Sequence, residues 1–427
     1  MRNIKSKRTS WAGRIALTLC LTASFCLQAD TLFINDATVH TMSSTGILQQ
    51  GDILIRDGKV QQVGTGLTAP ADAAVIEAKG RPVTPGFFAG ITELGLVEIG
   101  AVESSVDSGL ETEAMRPEFD VTPAYNPHSA AIPVTRIEGY TWSMLGASRS
   151  GSIIGGQGQA VSLSGAYQAF LGNKVLFIDV GADASEQSGG SRAAQWMLLE
   201  QAMTEAGSEV SWSPDPLLTS AGRKTLTGFR GDGIVIFNVD RASDILQVLA
   251  FSVRHELNAV ISGGTEAWMV ADQLAEAGVP VLINALSNLP DSFDQLGARL
   301  DNAAMLNEAG VTIAFQGAGT HQARKLRQVA GNAVANGLPY EAGLAAMTIS
   351  PVMIFSLGDD HGSIEDNSTA DLVIWSGDPL EVTSVADQVI IAGKPVEMVS
   401  RQTLLRDRYL PVQSELPRAY IKPTGSE

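Results

Sequence analysis

Thiols are almost missing from this 427-residue chain: its two cysteines, Cys20 and Cys26, both fall within the first 29 residues. The rest can form no disulfide framework, no thiolate metal site and no cysteine nucleophile. A chain of this length can instead stabilise itself with a large apolar core. Histidine is also sparse. His40, His128, His255, His321 and His361 are the full set, and none of the HxH, HxxxH or HxxEH spacings occurs. Basic charge is scarce as well, with 29 Lys and Arg against 46 Asp and Glu and a net charge of −17. An acidic body is repelled by phosphate backbones and anionic bilayers, which argues against nucleic-acid and membrane-surface binding. Cationic or neutral small substrates are compatible with that charge.

The basic residues that do occur are unevenly spread. Arg2, Lys5, Lys7, Arg8 and Arg14 precede a mostly apolar run, Ile15–Leu27, which Gln28-Ala29 closes with a small residue. This pattern predicts a secretory signal peptide over 1–29 and a periplasmic or secreted mature protein. The run is about 13 residues, short of the ~20 that span a bilayer, so no membrane association is expected after cleavage. Bulky Leu19 and Phe25 precede the two cysteines, which argues against a lipoprotein cut. Cleavage would remove five positive and no negative charges, moving the net charge from −17 to −22.

Three rhythms follow. Short strands are expected at 31–35, 52–56, 59–63 and 74–78, with Asp57-Gly58 as a hairpin turn. Between 85 and 350, apolar strand-like runs at 234–239, 259–262, 280–285 and 311–315 alternate with helical patterns at 244–255, 266–277 and 296–309. In the first of these helices, Ile245, Leu246, Leu249 and Val253 are expected on one face. Strands apolar throughout, alternating with helices, imply a parallel sheet covered by helices. The block is near the ~250 residues of an eight-stranded β/α barrel, with a doubly wound open sheet as the rival. Strands return at 370–375, 388–392 and 394–398, and 401–409 reads as a docked C-terminal helix before a frayed tail.

The residues Thr84-Pro85-Gly86-Phe87-Phe88 after the first strand block, Met347-Thr348-Ile349-Ser350-Pro351, Gly362-Ser363-Ile364-Glu365 and Ala370–Trp375, in that order, resemble the amidohydrolase superfamily, especially its imidazolonepropionase-like and dipeptidase-like members. The resemblance implies an α/β fold: a (β/α)8 TIM-type barrel over 85–350 with a small composite β-sandwich from 30–84 and 362–400, followed by 401–427 as helix and tail. It also implies a divalent metal, zinc or manganese, at the C-terminal mouth of the barrel, with histidines after the first, fifth and sixth strands, a metal-bridging lysine on the fourth, and an aspartate ending the last strand that accepts a proton from the metal-bound water.

Those positions carry other residues here. Ile91, Thr92 and Glu93 stand at the first strand's His-x-His. Phe237-Asn238-Val239-Asp240 and Gly263-Gly264-Thr265-Glu266 follow the fifth and sixth strands, and Phe315-Gln316-Gly317 the last. The lysine has no clear counterpart, with Lys174 and Lys224 nearby. One carboxylate is a poor substitute for two imidazoles, so from the residues alone no metal is expected. If a metal is kept, Glu93 and His321 are the candidate ligands and Asp240 and Glu266 the candidate catalytic groups.

Other constellations have plain readings. The carboxylates from Glu93 to Asp120 read as a solvated acidic loop, Glu93 excepted. Gly151–Gln159 lacks the Gly-Lys-Ser/Thr ending of a phosphate loop and reads as a turn between strands. No Gly-x-Ser-x-Gly elbow supplies a serine nucleophile. Asp240-Arg241 is either an internal ion pair or a substrate contact, and Thr265 is expected to cap a helix. Three functions fit: hydrolysis of a non-peptide or cyclic amide C–N bond, metal-free binding of a small molecule or peptide in the barrel mouth, or partnership with an active paralogue in a homo- or hetero-oligomer.

Overall fold

A computed structural model describes residues 31–112, 114–148, 151–207, 215–317 and 319–410. The expected signal peptide and the tail beyond 410 lie outside these residues.

The chain opens with β1 (Leu32–His40), β2 (Ile47–Arg56), β3 (Lys59–Thr65), β4 (Ala74–Glu77) and β5 (Pro82–Pro85). Asp57 and Gly58 take positive φ, 52° and 81°, and join β2 to β3 as a two-residue turn whose twist suits a hairpin. β1 pairs with β2 in antiparallel fashion and with β4 and β5 in parallel.

The barrel strands follow: β6 (Phe87–Thr92), β7 (Tyr140–Leu145), β8 (Ile154–Ser162), β9 (Phe170–Asp179), β10 (Ile234–Val239), β11 (Asn258–Gly263), β12 (Val281–Ile283) and β13 (Ile313–Phe315). They hydrogen-bond in chain order into one eight-stranded sheet. The ends of the ladder approach each other where Gly90 faces Gln316 and Gly317. β10 reads Ile-Val-Ile-Phe-Asn-Val, with only Asn238 short of full burial, as a strand covered on both faces requires. The order is not fully β/α, however. β8 runs antiparallel to both β7 and β9, so hairpins stand where two crossover helices were expected.

Gly155, Gly156 and Gly158 lie inside β8 rather than in a turn, and packing explains it. A Cβ on Gly158 would sit 1.8 Å from the Leu145 carbonyl oxygen of β7, and one on Gly156 would sit 2.7 Å from that of Phe119.

Ten helices are described: α1 (Ala131–Arg136), α2 (Arg192–Ala206), α3 (Ser220–Gly228), α4 (Ala242–His255), α5 (Ala271–Ala277), α6 (Asn302–Glu308), α7 (Leu326–Ala335), α8 (Tyr340–Ala345), α9 (Ile349–Ile354) and α10 (Arg401–Tyr409). In α4 the buried face is Ile245, Val248, Phe251 and Ser252, whereas Leu246 and Val253 are exposed. The expected stripe is therefore rotated, because Phe251 packs on Phe237 of the barrel and takes the core position. No helix among the described residues is long and apolar enough to cross a membrane.

β14 (Leu372–Trp375), β15 (Ala386–Ile391) and β16 (Lys394–Pro395) return to the first sheet, with β14 antiparallel to β5. The strands before and after the barrel, the segments expected to form a composite β-sandwich, are hydrogen-bonded into one connected eight-stranded sheet. Trp375 joins this sheet to the barrel. It is fully buried, its ring lies 5.0 Å from that of Phe87, and its indole N–H donates to Thr84 Oγ1. Arg327 of α7 stacks over the indole and donates to the carbonyls of Pro379, Glu381 and Ser384.

Candidate ligand-binding site at the barrel mouth

The C-terminal ends of the barrel strands surround a cavity of about 280 Å³. Four strands each contribute one polar side chain to it: Asp179 from β9, Asn238 from β10, Ser262 from β11 and Gln316 just after β13. Strand alternation explains the placement, since the residue before each of these four is apolar and fully or nearly fully buried in the packed interior. The four polar groups bond in pairs. The Asn238 amide donates to Asp179 Oδ1 at 2.8 Å, and the Ser262 hydroxyl donates to Gln316 Oε1 at 3.0 Å.

β9 is the fourth strand of the ladder, so Asp179 stands where the resemblance implies a lysine. Neither lysine candidate is there. Lys174 pairs with Asp120 at 2.6 Å, and Lys224 is exposed on α3. Asp179 was missed because β8 and β9, rich in glycine and partly polar, carry no clean strand signal.

The implied zinc or manganese does not fit this donor set. One carboxylate, two primary amides and a hydroxyl replace the imidazole, carboxylate or thiolate ligands that such ions take. One oxygen of the carboxylate already accepts from an amide of the same set. Among the described residues no three His, Cys, Asp or Glu side chains are placed to hold a metal ion.

Glu93 and His321 lie on neighbouring segments: the Glu93 N–H donates to Thr320 Oγ1 at 2.8 Å. Glu93 is half-buried and accepts from Ser108 at 2.6 Å, whereas His321 is exposed on the turn after β13. Of the other carboxylates of that run, Glu103, Asp107 and Glu111 are exposed, as a solvated acidic loop requires, and three others are bonded. Glu98 accepts from Asn126 and Ser129, Glu118 from Thr219, and Asp120 from Lys174.

Asp240 and Glu266 are brought to the mouth, and both carboxylates hold loops there. Asp240 Oδ1 accepts from the Thr265 N–H and hydroxyl, and Oδ2 accepts from Gln295. Thr265 thus donates to Asp240 instead of capping a helix, and among the described residues Asp240 forms no ion pair with its neighbour Arg241. Glu266 is buried, with one oxygen on the Ala242 N–H and the other on the Gly297 N–H. These bonds tie the β10–α4 and β11–α5 turns to the 284–301 segment between β12 and α6.

A third tie was not legible in the sequence. Arg192, at the start of α2, donates to both Asp244 and Asp294, and Asp294 also accepts from the Ala182 N–H at 2.7 Å. Burial works to raise the Asp294 carboxyl, but two bonds from Arg192, the Ala182 N–H and the guanidinium charge outweigh it and hold it below the usual range. Burial wins at Asp244, which has one bond to the same guanidinium, and its carboxyl is raised. The opposite signs follow from the unequal contacts. Gly181, at φ 108°, is needed here because a Cβ would come within 3.0 Å of Asp294 Oδ2.

The sequence profile of the Amidohydrolase family matches residues 236–396, from β10 to the last sheet strands. In solved structures the chain is similar to an amidohydrolase from Thermotoga maritima MSB8, at 26% identity and a TM-score of 0.77, covering 86% of this chain and 99% of that one. It is also similar in fold to an adenosine deaminase from Xanthomonas campestris with bound zinc, at 17% identity and a TM-score of 0.53, covering 90% and 99%. A prolidase complexed with N-methylphosphonate-L-proline shares the fold at 14% identity and a TM-score of 0.54, covering 86% and 99%. No curated protein sequence matches the chain.

Proposed function

We propose, for a chain of the amidohydrolase superfamily and so of hydrolase type, that the barrel mouth recognises a small polar molecule bearing an amide or related C–N bond, without the zinc or manganese usual in that superfamily. The observation that carries this reading is the paired set Asp179–Asn238 and Ser262–Gln316 around the cavity. With the Gln316 carbonyl oxygen taken by Ser262, its amide N–H groups remain as donors for a ligand carbonyl. Asp179 is the one carboxylate of the four, held in orientation by Asn238, and is the group in this set able to accept a proton from a ligand or a water. Asp240 and Glu266 act as positioning residues that fix the surrounding loops.

The second reading is hydrolysis of a non-peptide or cyclic amide C–N bond with a retained metal, which the adjacency of Glu93 to the Thr320–His321 turn favours. In either case the basic and apolar start of the chain supports export to the periplasm, and a homo- or hetero-oligomer with an active paralogue is compatible with both.

One preparation separates the readings. Purified without chelator and loaded with zinc or manganese, the protein is expected to retain less than one ion per chain. Small amides and cyclic amides are then screened by thermal shift in the metal-free protein, because a ligand that binds only the folded state raises Tm. Stabilisation that Asn238→Ala and Gln316→Ala abolish is the expected outcome. A stoichiometric ion lost in Glu93→Ala or His321→Ala would overturn the metal-free reading in favour of the second.

A further inference from the structure

Apolar residues run down two opposite sides of α4. Ile245, Val248 and Phe251 face the barrel and are buried. Leu246, Leu249, Ala250 and Val253 follow the i, i+3, i+4, i+7 spacing and form a second stripe on the other side. Leu249 is half-buried and Ala250 exposed, while Leu246 and Val253 are 39% and 78% exposed. A surface helix needs one apolar stripe, toward its own core. A second stripe on the opposite side belongs against another surface.

The helix is held firmly in this orientation. Phe251 packs on Phe237 of β10 and lies 5.7 Å from the Trp196 ring of α2. Arg192 of α2 donates to Asp244 near the start of α4, and Glu200 of α2 accepts from Arg254 and is bonded to His255 at its end. Rotation that would bury the outer stripe would pull Phe251 out of the core.

Charge and symmetry select what covers the stripe. The exposed residues of α4 are Ser243, Leu246, Gln247, Ala250, Val253 and Arg254, with no carboxylate among them. The one acid of the helix, Asp244, is buried against Arg192, and Arg254 is paired with Glu200. The chain as a whole carries −17, so two copies repel wherever their carboxylates meet. On this side of α4 they meet without that repulsion. Nucleic acid and anionic membranes are repelled by the rest of the body, and a basic partner is drawn to its carboxylates instead. The i, i+3, i+4, i+7 spacing is also symmetric about its midpoint. A two-fold axis between Leu249 and Ala250 sets Leu246 on Val253, and large Leu249 on small Ala250.

We propose that the partner is a second copy of this chain, with the outer stripes of two α4 helices packed antiparallel across a two-fold axis between Leu249 and Ala250. The contact is isologous, each protomer offering the same residues, and Ala250 lets the two helices approach closely. α4 starts at the barrel mouth, where the Ala242 N–H donates to Glu266 and Asp244 shares Arg192 with Asp294. Dimerisation would thus brace the loops around the cavity from outside, whatever the cavity binds.

Sedimentation velocity of the whole protein over a range of concentrations is the test. The parent protein is expected to be a dimer. Ala250→Glu and Ala250→Lys, each alone, should raise its dissociation constant at least about a hundredfold, because like charges then face each other across the axis. Mixed in equal amounts, the two variants should associate again, since opposite charges now meet. Position 250 is exposed on a helix, so both variants should keep the far-ultraviolet circular dichroism of the parent. Val253→Asp, at the end of the stripe, is a second probe for which the same loss of dimer is expected. A parent chain that stays monomeric overturns the proposal, and binding of that monomer to phosphatidylcholine vesicles would assign the stripe to a lipid surface instead. A dimer that survives Ala250→Glu, Ala250→Lys and Val253→Asp would place the contact elsewhere and overturn it as well. So would failure of the mixed Glu and Lys variants to associate.

Discussion

A single residue near the mouth can show whether its carboxylates stabilise architecture or merely decorate it. Asp294 bonds to the Arg192 guanidinium and to the Ala182 N–H, and its side chain is largely buried. Asp294→Ala removes the acceptor and leaves a guanidinium and a backbone donor without it. The expected cost is about 1–3 kcal/mol in urea unfolding. The 284–301 segment should also become more sensitive to limited proteolysis than in the parent protein, because one of its anchors is gone. Unchanged stability and unchanged cleavage would show that the remaining ties, through Gln295 and Gly297, hold the segment alone. Asp240 and Glu266 illustrate the limit of reading such residues from sequence. Asp240 lines the cavity and Glu266 is buried nearby, and the partners that occupy their oxygens come from 24 to 55 residues away in the chain.

At the scale of elements, β8 is where sequence pattern and structure diverge most. Glycine is unfavourable inside strands because it adds backbone entropy and packs nothing. A run with four glycines between 151 and 158 therefore reads as a turn. In the barrel the absence of side chains is the requirement: β7 passes so close that a Cβ on Gly158 would overlap the Leu145 carbonyl. Gly158→Ala is expected to lower stability by at least about 3 kcal/mol, within the tail reserved for steric conflicts that backbone cannot relieve. Soluble yield and the thermal unfolding midpoint would both record it. A variant with parent-like Tm would mean that β7 and β8 can separate without loss, contrary to the close pairing of Ser143 with Val161 and Met144 with Ala160.

For the whole molecule, the two ends of the chain depend on each other. β5 takes β1 on one side and β14 on the other, so strands separated by nearly the entire chain complete one sheet. Trp375 of β14 then packs into the barrel core against Phe87, under the Arg327 guanidinium, and Gly139 has no side chain because one would strike the indole ring at 2.3 Å. Trp375→Ala should cost about 3–5 kcal/mol. Sheet and barrel should still unfold in one transition, monitored by far-ultraviolet circular dichroism and intrinsic fluorescence together. Two separated transitions in the variant would show that the sheet and the barrel are held together mainly by this side chain.

Local chemistry was sufficient for much of this. The Asp57-Gly58 hairpin, the apolar runs of β10 and β11, the C-terminal helix and the motifs that carry the resemblance all lie within short stretches whose propensity and periodicity agree with the final structure. The same stretches place Glu93, Asn238, Ser262 and Gln316 at or after strand ends. Tertiary structure alone decided the rest. The antiparallel course of β8, the arrival of Asp179 at the fourth strand end, the rotation of the α4 core face toward Phe251 and the sharing of Arg192 between Asp244 and Asp294 all depend on contacts between segments distant in sequence. Period and composition report which face of a segment is apolar. They carry no information about which distant backbone will approach it, and that approach determines whether a glycine turns or pairs and whether a carboxylate at the mouth anchors a loop or faces a ligand.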